Sequence, residues 1–300
     1  MHKNYTMQLL VFIIFYPILW LISILPFRLL YLLSDGIYII LYNVIGYRKK
    51  VVRDNIKMAL PHLSEKERIE IEKKFYHHLC DMFLEMIKTM TITESEMKKR
   101  FVFTNIDLYL DLEKKQKSIA VFMAHYASYE WAISMNNIIH FEGYAIYKKI
   151  ANRYFDKLVR DIRSKFKATL ITNRETIAII EKNARANHLG IYGFASDQSP
   201  QIQKTHYWGT FMGIETPIHT GAEMLAKRFD MNVIFIRTRK IKRGYYEATF
   251  ELLADNPKEV PNYKISEDFL KRVEQQILEA PEYYLWTHKR WKHKKEILEN

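Results

Sequence analysis

Ile119 to Ala124 is an uncharged run of Ile, Ala, Val, Phe and Met that ends at His125, and Glu130 follows five residues later. A run of this length and content reads as a strand buried on both faces. His125 then falls where the strand ends, and Ser128 is a suitable N-cap for a helix starting at about Tyr129. A histidine at a strand end and a glutamate in the next helical turn can meet side chain to side chain. The expected chemistry is general-base catalysis, with Glu130 holding one ring nitrogen and the other free to take a proton from a hydroxyl. No serine nucleophile is needed if the substrate supplies the hydroxyl. His62 has an acid at the same spacing, Glu67, but Ser64 to Glu67 is a capping box that opens a polar helix. A second acid in a suggestive place is Asp197, just after an apolar run from Gly190 to Ala195.

The elements that must position these residues alternate. Helices are expected through residues 51–98, with Pro61 to Ser64 ending one and capping the next, and Thr93 to Glu96 opening another. From Phe101 the pattern predicts strands at 102–103, 119–124, 142–147, 190–195, 233–238 and 245–252. Between and after them it predicts helices from about 129, over 154–166, from the Thr172–Glu175 cap to about 185, over 222–228 and over 266–278. That is an α/β domain with a mixed, largely parallel sheet flanked by helices. Ligands in such sheets bind at the carboxyl ends of the strands, where His125 and Asp197 fall.

The N-terminus is of another character. Leu9 to Leu25 is apolar apart from Ser23 and is interrupted by Pro17, and a second apolar stretch, 29–47, contains Ser34, Asp35 and Gly36. The first is long for a signal peptide and lacks a small-residue cleavage pattern. It predicts a membrane helix of about 20 residues, and the second predicts an interfacial helix or one packed on the body. Residues 1–47 are thus expected to form the membrane anchor and 48–300 the catalytic domain. Arg48, Lys49, Lys50 and Arg53 follow the apolar region, a positive-inside bias that puts the body in the cytoplasm.

The formal charge of +12 calls for an acidic partner or an anionic surface. Nucleic acid is not expected, because no binding motif accompanies the charge. The single cysteine, Cys80, excludes an internal disulfide and a cysteine zinc site, and His206 and His219 lack ligand-spaced partners, so no metal is expected. Arg237, Arg239, Lys240, Lys242 and Arg243 read as a solvated hairpin that could dock an acidic carrier protein or anionic lipid.

Met123 to Glu130 resembles the H-x4-(D/E) block of the late acyltransferases of lipid A biosynthesis, within the wider lysophospholipid (glycerolipid) acyltransferase superfamily. Other segments resemble that family in order: Val51 to Asn55, Asn152/Asp156/Arg163 with N-x3-D-x6-R spacing, Asp197-Gln198-Ser199-Pro200, Trp208 to Gly213, and Pro281 to Trp291. The resemblance implies an enzyme that moves a fatty acyl chain from a thioester carrier to a lipid hydroxyl, and that the membrane is the inner one. His125 would be the base, Glu130 its orienter, and backbone N–H groups after His125 the oxyanion donors. Lys148, Asn152, Arg163, Arg174 and Asp197 would contact substrate. The resemblance implies a phosphopantetheine thioester co-substrate, with acyl-carrier protein the expected donor and acyl-CoA the alternative, and no further cofactor. A lipid A precursor is the expected acceptor. The rival readings are a glycerolipid or aminolipid O-acyltransferase and a non-catalytic binder of anionic lipid. Lysine replaces the family's usual arginine at 148, which keeps a cation and loses the bidentate fork.

Overall fold

The structure, a computed structural model, describes residues 2–295, with side chains from Tyr5 onward. Two apolar helices open it, α1 (His2–Ile24) and α2 (Phe27–Ile39), the latter continued by a π-helical turn, Ile40–Ile45. Next come α3 (Lys49–Ala59), the long α4 (Glu65–Lys88) and α5 (Glu94–Arg100). Ser64 caps α4 through the expected box: its hydroxyl accepts the Glu67 N–H while the Glu67 carboxylate accepts the Ser64 N–H.

The remaining elements are β1 (Phe101–Thr104), α6 (Ile106–Lys114), β2 (Ile119–Met123), a 3-10 helix (Tyr129–Asn137), β3 (Glu142–Tyr147), α7 (Arg153–Ser164), β4 (Thr169–Thr172), α8 (Thr176–Arg185) and β5 (Gly190–Ala195). A small antiparallel hairpin, β6 (Trp208–Phe211) and β7 (Ile214–Pro217), precedes α9 (Gly221–Arg228), β8 (Asn232–Lys242), β9 (Tyr245–Ala254) and α10 (Lys264–Glu279).

Seven strands form one sheet in the order β1-β9-β8-β2-β5-β3-β4, parallel at every pairing except β8–β9. The α/β fold with a largely parallel sheet is therefore as the alternating pattern predicts. β2 lies at the centre, and Ile119 to Phe122 are fully buried, as its uniform apolar content requires. β4, α6 and the β6–β7 hairpin are additions to the predicted elements: each is short, and a four-residue strand leaves little periodicity to read.

The cationic stretch departs from expectation. β8 runs through it to Lys242, and its charges are taken up internally. Arg243 binds Asp81 (2.6 Å) and Asp35 (2.6 Å), Lys240 lies 3.6 Å from Asp81, Arg239 pairs with Glu247 (3.0 Å), and Arg237 pairs with Glu279. Lys242 sits over the Tyr245 ring. Arg243, Lys240 and Arg237 thus hold the hairpin to α2, α4 and α10, while Arg239 and Lys242 pair within the hairpin and stay exposed.

Candidate active site

β2 and β5 are adjacent parallel strands in a register that pairs Met123 with Ala195. Two residues further along each strand stand His125 and Asp197. The His125 ring Nδ1 lies 2.7 Å from Asp197 Oδ1, and the same oxygen accepts the His125 backbone N–H at 3.1 Å. An ionised carboxylate only accepts, so Nδ1 carries the proton and Nε2 is the basic nitrogen. Asp197 is 1% exposed, and among the described residues its other oxygen makes no hydrogen bond.

Burial presses the imidazole toward its neutral form. The Asp197 charge and hydrogen bond, with a smaller contribution from Glu130, overcome this and raise the His125 pKa above its ordinary value. For Asp197 burial acts upward, but the His125 charge and the two donated bonds hold the carboxyl below its usual range.

Glu130 is not the partner of His125. Its carboxylate is gripped by Arg163 of α7, whose Nη2 lies 2.8 and 2.9 Å from the two oxygens. The expectation that Glu130 holds the ring is therefore corrected to Asp197, which was expected as a substrate contact and instead lies buried against His125. The segment between also differs. Ala127 adopts a left-handed conformation and Ser128 makes no side-chain cap, so the chain enters a 3-10 helix and not an α-helix. Two N–H groups near His125 are consumed as well: Tyr126 donates to Ala124 and Ala127 to Tyr283.

His125, Glu130 and Arg163 line a cavity of about 410 Å³ with Lys148. Its walls are otherwise mostly apolar: Val121, Met123, Ile133, Met135, Ile146 and Ile191 among them. The floor is one face of β2, β5 and β3, kept low by small residues, with Gly193 opposite Val121 on one side and Ala145 on the other. A Cβ built on Gly193 would meet nothing closer than the Tyr144 carbonyl at 3.7 Å. Gly143 is needed for a different reason, since a Cβ there would fall 1.6 Å from the Asn136 amide oxygen. Among the described residues no group of three His, Cys, Asp or Glu could hold a metal ion.

The other expected substrate contacts divide. Lys148, exposed at the end of β3, lines the cavity and has no carboxylate partner among the described residues. Asn152 does not line it: it caps α7, its Oδ1 accepting the Tyr154 and Phe155 N–H groups while Nδ2 donates to the Gln8 carbonyl of α1. Arg174 is exposed on the turn after β4, outside the cavity lining.

Sequence reasoning missed the role of the C-terminal strap. Leu285 N–H donates to the His125 carbonyl, and Tyr126 and Tyr284 form an antiparallel bridge. Burial, and then the Asp197 charge, push the Tyr284 phenol well above its ordinary range, so it stays neutral. Burial also pushes His288 down to about 4, and its neutral Nε2 accepts the Ser199 N–H at 3.2 Å. Asn55 of α3 fastens the strap by donating to the Trp286 and His288 carbonyls, both at 2.7 Å. The dense aromatic and basic run from Tyr283 to Trp291 was the available signal.

A statistical description of the bacterial lipid A biosynthesis acyltransferases matches residues 2–293. The chain belongs to that family. It is an acyltransferase. Similar proteins include the lipid A biosynthesis lauroyltransferase of Escherichia coli, 21% identical over 281 residues, covering 92% of this chain and 89% of the relative. The E. coli lipid A biosynthesis palmitoleoyltransferase is also 21% identical, with the same coverage. A lipid A biosynthesis acyltransferase of Haemophilus influenzae is 22% identical, covering 89% of this chain and 83% of that protein.

Proposed function

We propose that this acyltransferase moves a fatty acyl chain from an acyl thioester, carried by acyl-carrier protein, to a hydroxyl of a lipid A precursor at the cytoplasmic face of the inner membrane. One observation carries the reading: a histidine fixed through Nδ1 by a buried aspartate lines an apolar cavity flanked by Lys148 and Arg163. Nε2 of His125 takes the proton of the acceptor hydroxyl as its oxygen attacks the thioester carbonyl. The tetrahedral oxyanion then collapses, the C–S bond breaks, and the imidazolium returns the proton to the departing pantetheine sulfur. No covalent enzyme intermediate forms. The N–H groups of Tyr129 and Glu130 precede the first bond of the 3-10 helix, Trp131 N–H to the Ser128 carbonyl, and are the candidates to meet the oxyanion.

The apolar floor suits the acyl chain. Lys148 suits an acceptor phosphate, and Arg163, its charge shared with Glu130, positions the same headgroup. Asp197 acts behind the base as a positioning residue.

The test is acyl transfer by purified wild type and His125→Ala in detergent. Radiolabelled acyl-carrier protein and acyl-CoA are each offered with a lipid A precursor, a lysophospholipid and a lyso-aminolipid. Transfer from the carrier protein to the precursor, reduced at least ~100-fold in the variant, is expected. Transfer only to another lipid replaces the acceptor, transfer only from acyl-CoA replaces the donor, and a variant with unchanged activity sinks the role of His125.

A further inference from the structure

Two helical stretches are long and apolar enough to cross a bilayer, Tyr5–Ile24 and Phe27–Ile45. Their partners forbid it. Phe27–Ile45 runs antiparallel along α4, bonded to its acids at three levels: Tyr31 to Glu85 (2.8 Å), Ser34 to Asp81 (2.7 Å) and Tyr42 to Glu72 (3.0 Å). Asp35, inside the same stretch, is held by Arg243 and His77. α4 also carries Lys66, Arg68, Lys73 and Lys74, so a crossing by α2 would draw a charged helix into hydrocarbon. Each such charge costs about 2.5–3.5 kcal/mol at the bilayer centre on insertion scales.

α1 is fastened near both ends to the same body. Near its start, the Gln8 carbonyl accepts from Asn152 and the Gln8 side chain from the Arg153 N–H. Near its end, the Ser23 carbonyl accepts from Lys88 (2.7 Å) and Thr91. Fifteen residues separate these points, about 22 Å of helix. A helix that crossed the membrane could touch the body at one end only. Gln8, Phe12, Leu19 and Ser23 share one stripe at helical spacing and are the less exposed positions, while Leu10, Ile13, Ile14 and Leu21 face outward. Leu32, Ile39 and Val44 do the same on the second stretch.

We propose that the protein is monotopic. α1 and α2 lie on one side of the body and sink their outer faces into a single leaflet, with the exposed cations Arg28, Lys50 and Arg153 meeting anionic headgroups. The inference rests on the reading of this chain as membrane-attached and replaces the spanning first helix expected from hydropathy. It also puts the mouth of the cavity beside the leaflet, because Ile150 of the lining lies two residues from the Asn152 contact with α1.

Three variants, each adding one cysteine to the parent, test it: Lys3→Cys before the first stretch, Arg28→Cys between the two, and Lys258→Cys in a surface loop of the body. The parent serves as blank, since Cys80 is buried and burial pushes its thiol up to about 12. Each is treated with a membrane-impermeant maleimide in spheroplasts and in inverted vesicles, with pelleting of the protein followed in parallel. All three labelled from the same side, within about twofold of one another, is the expected result. Position 3 labelled from the side opposite to 258 means that α1 crosses, and position 28 opposite to 258 means a two-helix hairpin; either overturns the proposal while leaving membrane attachment intact. Failure of the parent to pellet with membranes overturns the attachment itself, and the proposal with it.

Discussion

The Oδ1 atom of Asp197 accepts two hydrogen bonds from His125, one from the ring and one from the backbone, across the boundary between adjacent parallel strands. The double bond fixes the ring relative to the main chain from which it springs. It leaves one rotamer and one tautomer for the imidazole, the pre-organisation that the proposed general-base role needs.

Asp197→Asn keeps the volume and removes the charge. The raised pKa of His125 depends on that charge, so the ascending limb of the pH–rate profile moves to lower pH in the variant. The sign follows from the base form being the active one: a lower pKa frees it at lower pH. The plateau rate falls by about 100-fold or more, because the tautomer is no longer enforced. A profile of kcat/KM from pH 5 to 9 checks both; an unmoved limb would show that another group titrates.

Glu130→Gln behaves differently. The carboxylate grips Arg163, so its removal shifts the limb less than Asp197→Asn and instead raises KM for the acceptor. Arg163→Gln does the same, and the double variant loses less than the product of the two single losses, since both disturb one ion pair. Kinetics on the four proteins supply the cycle.

Gly193 governs depth. Gly193→Val adds a side chain to the cavity floor, and its Cβ meets nothing closer than an ordinary contact. The variant folds as the parent does and shifts its preference to acyl chains shorter by about two to four carbons, as the lost space requires. Competition among acyl-carrier protein substrates, with products read by mass spectrometry, measures the shift.

Asn55→Ala strips two buried carbonyls of their donor. The expected destabilisation is about 1–3 kcal/mol, seen as a lower melting temperature in detergent. Activity well below that temperature falls too, because the strap that Asn55 fastens also binds the His125 carbonyl.

Much of this was legible in the chain. The uninterrupted apolar content of residues 119–123 marks a central strand, and the histidine at its carboxyl end lines the cavity. The choice between Glu130 and Asp197 was not. It depends on strand order: β5 lies between β2 and β3 although two further strands, β3 and β4, precede it in the chain, and no local spacing encodes that. The same holds for Lys240 and Arg243, whose partners Asp81 and Asp35 lie more than a hundred residues earlier in the sequence. A run of cations reads as solvated until the topology brings acids to it.

His125 and Asp197 are 72 positions apart, and Asn55 and His288 are 233 apart. The first pair forms only once β2 and β5 have found each other across the intervening crossovers, a slow step for parallel strands, and the second only once the C-terminal strap has met α3. On the function proposed above, catalytic competence is a late acquisition of the nascent enzyme. A chain whose last helix and strap have yet to dock carries both His125 and Asp197, yet lacks the Leu285 bond to the His125 carbonyl and the Asn55 fastening.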